Sequence, residues 1–213
     1  MKLYGYWRSS AAYRVRIALN LKGLECEQES VHLVKDGGEQ HKADYQALNA
    51  NELVPTLVDG ELKLNQSMAI LEYLEAKYPE VSLLPEGMAA EMQCRALALD
   101  IACDIHPLNN LRVLQYLSGT LEVSDAEKTA WYHHWLHVGF SAFEKTLAKT
   151  AGEYCFGDTV TWADICLVPQ VYNAERFNSN MSAYPKIVEI CQRCNALEAF
   201  KQAAPEQQPD AVG

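Results

Sequence analysis

No stretch of this chain approaches the ~18 consecutive apolar residues that a membrane-crossing helix needs, so no membrane anchor is expected. Basic residues are scarce: 18 Lys and Arg against 28 Asp and Glu leave a formal net charge of −10. A field of that sign repels polyanions, which excludes nucleic acid and anionic lipid as partners held by overall charge. The opening segment MKLYGYWRSS lacks an apolar run after its lysine and is not expected to act as an export leader. A cytoplasmic protein is therefore expected. Cysteines are present but unorganised. Cys26, Cys94, Cys103, Cys155, Cys166, Cys191 and Cys194 are odd in number and scattered, unlike a disulfide framework. Cys191 and Cys194 form a C-x-x-C, yet no second pair and no His pair completes a zinc site. No metal is expected, and these two read as thiols on a helix face.

Apolar residues make up 49% of 213 residues, enough to bury one large core or two smaller ones. The first eighty residues alternate between the two periodicities. Residues 2–7 read as a strand. Residues 10–22 read as a helix that Ser9 or Ser10 can cap and Gly23 can end. A second strand is expected within 25–34, with Val31 and Leu33 on one face, followed by a loop at KDGGEQH. VPTLVDGELKL reads as a hairpin about Asp59-Gly60, and SMAILEYLEAKY as a helix stopped by Pro79. The order βαβ then ββα is the thioredoxin-like pattern, a four-stranded mixed sheet with helices on its faces.

Residues 80–87 read as a linker, and beyond them strand patterns are scarce. Helices are expected over 88–117, interrupted by Pro107, and from the capping box at Ser124 to about 148. Another is expected after Thr161, with Pro169 inside it as a kink, and one or two over 185–203. The tail APEQQPDAVG is expected to be loose. The division is a thioredoxin-like domain at 1–80 and an all-helical domain at 88–213.

The segment Trp7-Arg8-Ser9-Ser10-Ala11-Ala12-Tyr13-Arg14-Val15-Arg16 places hydroxyls where a strand hands over to a helix. Amide N–H groups point out of that end, and the dipole there favours negative charge. A thiol with a pKa of about 8.5 is roughly 3% ionised at neutral pH. Lowering that pKa by ~2 units requires about 2.7 kcal/mol. One charge-assisted hydrogen bond contributes about 1.5–3 kcal/mol and a helix terminus about 0.3–1. The two suffice without a general base. Serine is also the commonest helix cap, so the hydroxyls alone do not decide. Residues 1–24 carry Lys2, Arg8, Arg14, Arg16 and Lys22 and no acid. That local reversal of charge suits an anionic ligand, although Arg14 and Arg16 can equally pair with carboxylates of the later helices.

SSAAYRVRIALNLKG, KDGGEQ, LNANELVPTLVDG, NQSMAILEYLE, IHPLNNLRVL and FGDTVTWADICLVPQVYNAERF together resemble the zeta class of the glutathione transferases, along nearly the whole chain. The serine-rich motif and the VPQ…NAERF block carry the class; VPTL and T-x-A-D belong to the wider superfamily. The resemblance implies glutathione as cofactor, with Ser9 stabilising its thiolate and Ser10 beside it. It implies a cis Pro55, with the Val54 backbone pairing with the cysteinyl backbone of glutathione. Gln66 and Ser67 would hold the γ-glutamyl carboxylate. Gln40, His106 and Asn110 resemble further contacts, and Arg8, Arg112 and Arg176 resemble residues that hold substrate carboxylates. The implied reaction is cis–trans isomerisation of a small anionic cis-alkene diacid, maleylacetoacetate, by thiolate addition, bond rotation and elimination. A homodimer is implied as well. Ala11 stands where the class often has cysteine, and Tyr13 where Trp or His is common. His106 replaces a common Gln and Arg112 a common small residue, both as in the maleylpyruvate branch, so the substrate stays open between the two acids. A glutathione-dependent thiol reductase would want a cysteine at the first helix start, where positions 9–12 read Ser-Ser-Ala-Ala. A non-catalytic binding protein on the same fold is the remaining alternative.

Overall fold

The computed structural model of the chain describes residues 1–211. Two compact units emerge: Met1–Leu83 joined by the segment from Ala196 onward, and Leu84–Asn195. The expected boundary after residue 80 is close. The expected end of the second domain at 213 is not what forms, because the last segment packs with the first unit.

In the first unit, β1 (Lys2–Gly5), β2 (Glu27–Ser30), β3 (Thr56–Asp59) and β4 (Leu62–Asn65) form one sheet in the order β2-β1-β3-β4. β1 runs parallel to β2 and antiparallel to β3, and β3 and β4 form the hairpin about Asp59-Gly60. β2 is shorter than expected and all four of its residues are exposed. Val31 is buried just beyond it, so the expected Val31/Leu33 face belongs to the following turn. The charged, solvated β2 suits an edge strand, which must discourage further pairing.

Helix α1 (Ser10–Leu21) lies against one face of the sheet. A Cβ at Gly5 would stand 3.3 Å from that of Ala12, so glycine lets strand and helix approach. Side chains alternate along a strand, so Tyr4 points to the opposite face, where its ring lies 6.4 Å from that of Tyr45 in α2 (Ala43–Leu48). This short helix follows two tight turns at Lys35–Gly37 and Glu39–His41, in place of a plain loop. Helix α3 (Ser67–Lys77) packs beside α1, and Ile70, Leu71 and Leu74 bury its inner face with Leu3, Val15, Ile17 and Leu57.

The second unit is helical. Helix α4 (Met88–Leu99) passes into a π-helical stretch (Asp100–Ile105), a 3₁₀ turn (His106–Asn109) and α5 (Leu111–Gly119). The interruption expected at Pro107 is present: the proline, which removes an amide donor, lies in the turn between the π-helical stretch and α5. Helix α6 (Asp125–Thr150) starts in the Ser124–Glu127 capping box. Helix α7 (Trp162–Arg176) runs through Pro169 as one element. Its cap carboxylate, Asp164, is fully buried. It accepts from Thr161 N and Oγ1 at 2.8 and 2.9 Å and from Cys155 N at 2.8 Å. Burial nevertheless pushes its carboxyl up. Helix α8 (Pro185–Ala196) begins on the Glu144 carboxylate, which accepts from Lys186 N and Ile187 N. Cys191 and Cys194 are buried on this helix, where burial pushes both thiols up. Among the described residues, no group of three or more His, Cys, Asp or Glu is arranged to hold a metal ion. Among these same described residues, no helix is long and apolar enough to cross a membrane.

Helix α9 (Glu198–Ala203) returns to α1, where Asn20 Nδ2 donates to Ala199 O at 2.9 Å. The tail is not loose: a 3₁₀ turn at Pro205–Gln207 leads to Asp210, whose carboxylate accepts from Trp7 N at 3.1 Å and Ser30 Oγ at 2.9 Å. The linker is tied just as firmly. Lys22 Nζ, with its side chain 1% exposed, donates to Tyr78 O at 2.9 Å and Val81 O at 2.6 Å, and pairs with Glu75 at 3.0 Å. Removing one partner of a buried pair strands the other charge at a cost of about 3–5 kcal/mol. Lys22→Met is therefore expected to lower the unfolding free energy by about 3 kcal/mol, measured by urea denaturation.

Candidate active site

Strand register gathers most of the sequence-picked residues of the first unit at one end of the sheet. Gly5 closes β1 opposite Ser30, and Tyr4 pairs with Thr56, so the exit of β1 lies beside the entry of β3 at Pro55. Thr56 in turn faces Asn65, which puts Gln66 and Ser67 at the same end. Three segments that are remote in sequence, Tyr6–Ser9, Leu53–Thr56 and Asn65–Ser67, meet there.

Ser9 is the cap of α1, with extended φ −69° and ψ 115°. Its Oγ accepts from Ala12 N at 3.2 Å, which leaves the hydroxyl proton as a donor. Ser10 is the first helical residue and is buried. The hydroxyl at the helix mouth is therefore that of Ser9. Tyr13 N donates to Ser9 O at 2.8 Å, the first bond of the helical ladder, so the earlier amides point out of the helix end. An anionic sulfur placed there would meet one hydroxyl donor and the positive end of the dipole.

Ser67 begins α3 and is buried. Arg14, almost wholly buried, donates from Nη1 to Ser67 Oγ at 3.3 Å and sets a cation behind that second helix start. Gln66, before it, holds φ 68° and ψ 115°. A non-glycine residue in that region costs of order 1–3 kcal/mol, strain that persists where function requires the geometry. Two helix starts, each with a serine, thus open at the same end of the sheet. They suit a ligand with one anion at each end.

Between them lies the Val54–Pro55 peptide, which is cis. The residues that hold this turn escaped the sequence reading. Asn49 Nδ2 donates to Leu53 O at 2.8 Å and Thr56 Oγ1 at 3.1 Å, while its Oδ1 accepts from Asn51 N at 3.0 Å and Asn65 Nδ2 at 3.1 Å. Tyr45 Oη adds bonds to Leu53 O at 2.6 Å and Thr56 Oγ1 at 3.0 Å. Nothing in the sequence distinguishes Asn49 from any loop asparagine except its place ahead of VPTL. Gln40 is buried, with Nε2 3.3 Å from Leu33 O and 3.0 Å from His41 Nε2, and its Oε1 has no hydrogen-bond partner among the described residues. His41 also pairs with Glu52, which draws the Glu39–His41 turn toward the Leu53 loop and holds the Glu52 carboxyl low.

The expectation that the early basic residues form an anion-binding patch is mostly overturned. Lys2 pairs with Glu27 at 2.9 Å on the far strand edge. Arg16 donates to Trp7 O and Ala203 O, and Lys22 holds the linker. Ser67 Oγ is a partner of Arg14, and these two carbonyls are partners of Arg16. Buried cations need oxygens more than a ligand does. Arg8 alone stays half-exposed at the site, stacked 4.5 Å above the Trp7 ring and donating to Tyr6 Oη at 3.1 Å.

The other four candidates belong to the second unit. His106 and Asn110 meet there, with Asn110 Nδ2 3.2 Å from His106 Nε2, and Asn110 Oδ1 caps α5 by accepting from Arg112 N. Arg112 is exposed on the first turn of α5. Arg176 is exposed at the end of α7, donating to Asn173 Oδ1 at 3.0 Å. No contact joins Arg176 to the His106–Asn110 pair among those described.

Residues 1–76 match the glutathione S-transferase N-terminal domain and residues 112–203 the C-terminal domain. The chain belongs to the glutathione S-transferase family, within its zeta class. A probable maleylacetoacetate isomerase of Vibrio cholerae serotype O1 is 61% identical over 98% of this chain and 97% of that protein. A solved structure described as the holo form of maleyl pyruvate isomerase, a bacterial zeta-class transferase, is 47% identical, covers 100% of both chains and superposes with a TM-score of 0.96. A maleylacetoacetate isomerase from Methylobacterium extorquens AM1, solved with bound malonate and glutathione, is 40% identical with a TM-score of 0.95 over 100% of both chains.

Asn49→Ala removes four hydrogen bonds of one buried amide and is expected to lower stability by about 2 kcal/mol. Hydrogen exchange should quicken over residues 51–56 while the α6 and α7 amides keep their protection.

Proposed function

We propose that this chain is a glutathione-dependent cis–trans isomerase that converts maleylacetoacetate to fumarylacetoacetate, as in tyrosine and phenylalanine degradation, with accompanying glutathione transferase activity. The observation that carries the reading is the Ser9 hydroxyl, part-exposed at the open start of α1 with its oxygen already used as the cap. The donor set fits glutathione: a hydroxyl and helix dipole for sulfur, a strand-like Val54 backbone for the peptide, and the Gln66–Ser67 helix start for the γ-glutamyl carboxylate. Gln40, whose buried Oε1 lacks a hydrogen-bond partner among the described residues, is the proposed contact from the neighbouring turn. His106 and Asn110 are proposed as further contacts from the helical unit. When bound, glutathione supplies a sulfur nucleophile that adds to one alkene carbon and departs after rotation about the resulting single bond.

The chain's own part is electrostatic. Ser9 donates to the sulfur and keeps it anionic, with Ser10 extending the same helix start. Arg8, Arg112 and Arg176 are the proposed partners of the substrate carboxylates, where a planar guanidinium matches the carboxylate fork and steadies charge that develops on the conjugated oxygen. The substrate is thus a small anionic cis-alkene diacid, and the setting is cytoplasmic. One observation favours a second reading: His106 and Arg112 follow the maleylpyruvate branch, so maleylpyruvate is the alternative substrate. Purified protein is expected to isomerise maleylacetone only with glutathione present, and Ser9→Ala to lose at least tenfold in turnover, the equivalent of about 1.4 kcal/mol. Equal rates without glutathione would refute the scheme. Side-by-side turnover of the two acids chooses between them.

We also propose a homodimer. Met88, Met92 and Leu99 stand 81%, 49% and 39% exposed on one stripe of α4. Light scattering at micromolar concentration is expected to give twice the chain mass, and Met88→Glu with Met92→Glu to shift it toward the monomer.

A further inference from the structure

We infer that the C-terminal tail positions the Ser9 hydroxyl, with Asp210 as a positioning residue that acts through the Trp7 peptide. The inference rests on the reading of Ser9 given above. Trp7 lies in the turn between β1 and α1, where neither its N–H nor its C=O belongs to the sheet or helix ladder. Backbone groups in such a position must find other partners. The N–H donates to Asp210 Oδ2 at 3.1 Å, and the C=O accepts from Arg16 Nη2 at 2.9 Å. The same Oδ2 accepts from Ser30 Oγ at 2.9 Å, at the end of β2 that pairs with Gly5. Arg16 also reaches Ala203 O at 3.0 Å, at the end of α9. The two successive peptides on either side of the Trp7 Cα are thus each tied to the segment from Ala203 to Asp210, one directly and one through Arg16.

The turn that follows is short. Ser9 N donates to Tyr6 O at 2.9 Å and closes Tyr6–Ser9 around the Trp7 peptide. Any rotation of that peptide moves Arg8 and the Ser9 cap together. The tail is itself braced, because Gln208 Nε2 donates to both Gln202 O and Ala204 O at 2.9 Å. Gln208, Pro209 and Asp210 share a small cavity wall with Gly5, Tyr6 and Trp7. The strap therefore presses on the turn that carries the hydroxyl and leaves the Val54 and Ser67 segments to other supports. A hydrogen bond to sulfur is steeply dependent on geometry, and a misplacement of about 1 Å can cost roughly a hundredfold in rate.

The test measures the ultraviolet absorbance of bound glutathione thiolate across pH, together with kcat and the KM for glutathione. Asp210→Ala is expected to hold about tenfold less thiolate at neutral pH and to lose kcat in proportion. Its KM for glutathione should change less than about threefold, because other segments carry the tripeptide. Asp210→Asn keeps a carbonyl oxygen that can accept both bonds, and it is expected to restore the thiolate and the rate. Should Asp210→Ala fail to fold by circular dichroism, Ser30→Ala takes its place, with about threefold less thiolate expected. A thiolate titration unchanged from wild type in the folded variant overturns the strap. An Asp210→Asn protein as impaired as Asp210→Ala also overturns it, by assigning the effect to charge. A wild-type protein that shows no bound thiolate overturns the reading of Ser9, and the strap falls with it.

Discussion

The first unit is organised by the need to find oxygen for the cations of one buried helix. Nearly every residue of α1 from Ser10 to Leu19 is buried, yet Arg14 and Arg16 lie within it and Lys22 caps it. A charge taken out of water loses several kcal/mol of solvation unless hydrogen bonds replace it. Each of these three side chains finds its oxygens on a different segment: Arg14 on the start of α3, Arg16 on Trp7 and Ala203, and Lys22 on the linker at Tyr78 and Val81. One helix therefore fixes the start of α3, the turn before α1, the segment at α9 and the exit of the unit. Apolar side chains in their place would fill the volume without specifying these partners.

The same economy shapes the candidate site. Ser9 caps one helix, the strained Gln66 precedes another, and the cis peptide is braced by one asparagine and one tyrosine. None of these features exists for ligand binding alone. Each is a backbone requirement whose leftover valence points outward. Ser9 shows this best, because the oxygen accepts from the helix and the hydroxyl proton is left to donate. The second unit repeats the device internally, where the Asp164 carboxylate closes the start of α7 and holds the preceding loop through Cys155.

What could be read from the sequence follows from how local its cause is. The Asp59-Gly60 hairpin, the Ser124 and Thr161 caps and the Ser9 helix start are each specified within four residues, and all form as expected. Helix α2 is too short to show a periodicity, and the π-helical stretch ahead of Pro107 keeps an α-like pattern while changing its bonds. The charge excess of residues 1–24 was visible but its meaning was not, since composition shows a cation and not the carbonyl it seeks. Asn49 was invisible for the same reason: two of its four partners, Thr56 and Asn65, lie on neighbouring strands that only the sheet brings together. The tail APEQQPDAVG looked loose because Pro and Gln carry no burial pattern, whereas its hold comes from backbone acceptors and a single carboxylate.

The return of α9 to α1 has a consequence for synthesis. Domains generally complete themselves in order as the chain leaves the ribosome. Here Phe200 and Ala203, both buried, reach the first unit only after the whole helical unit has been translated. The segment Met1–Leu83 must therefore wait, with α1 uncovered along one side, until α9 emerges. Its protection in the interim falls to whatever shields nascent apolar surface in the cell.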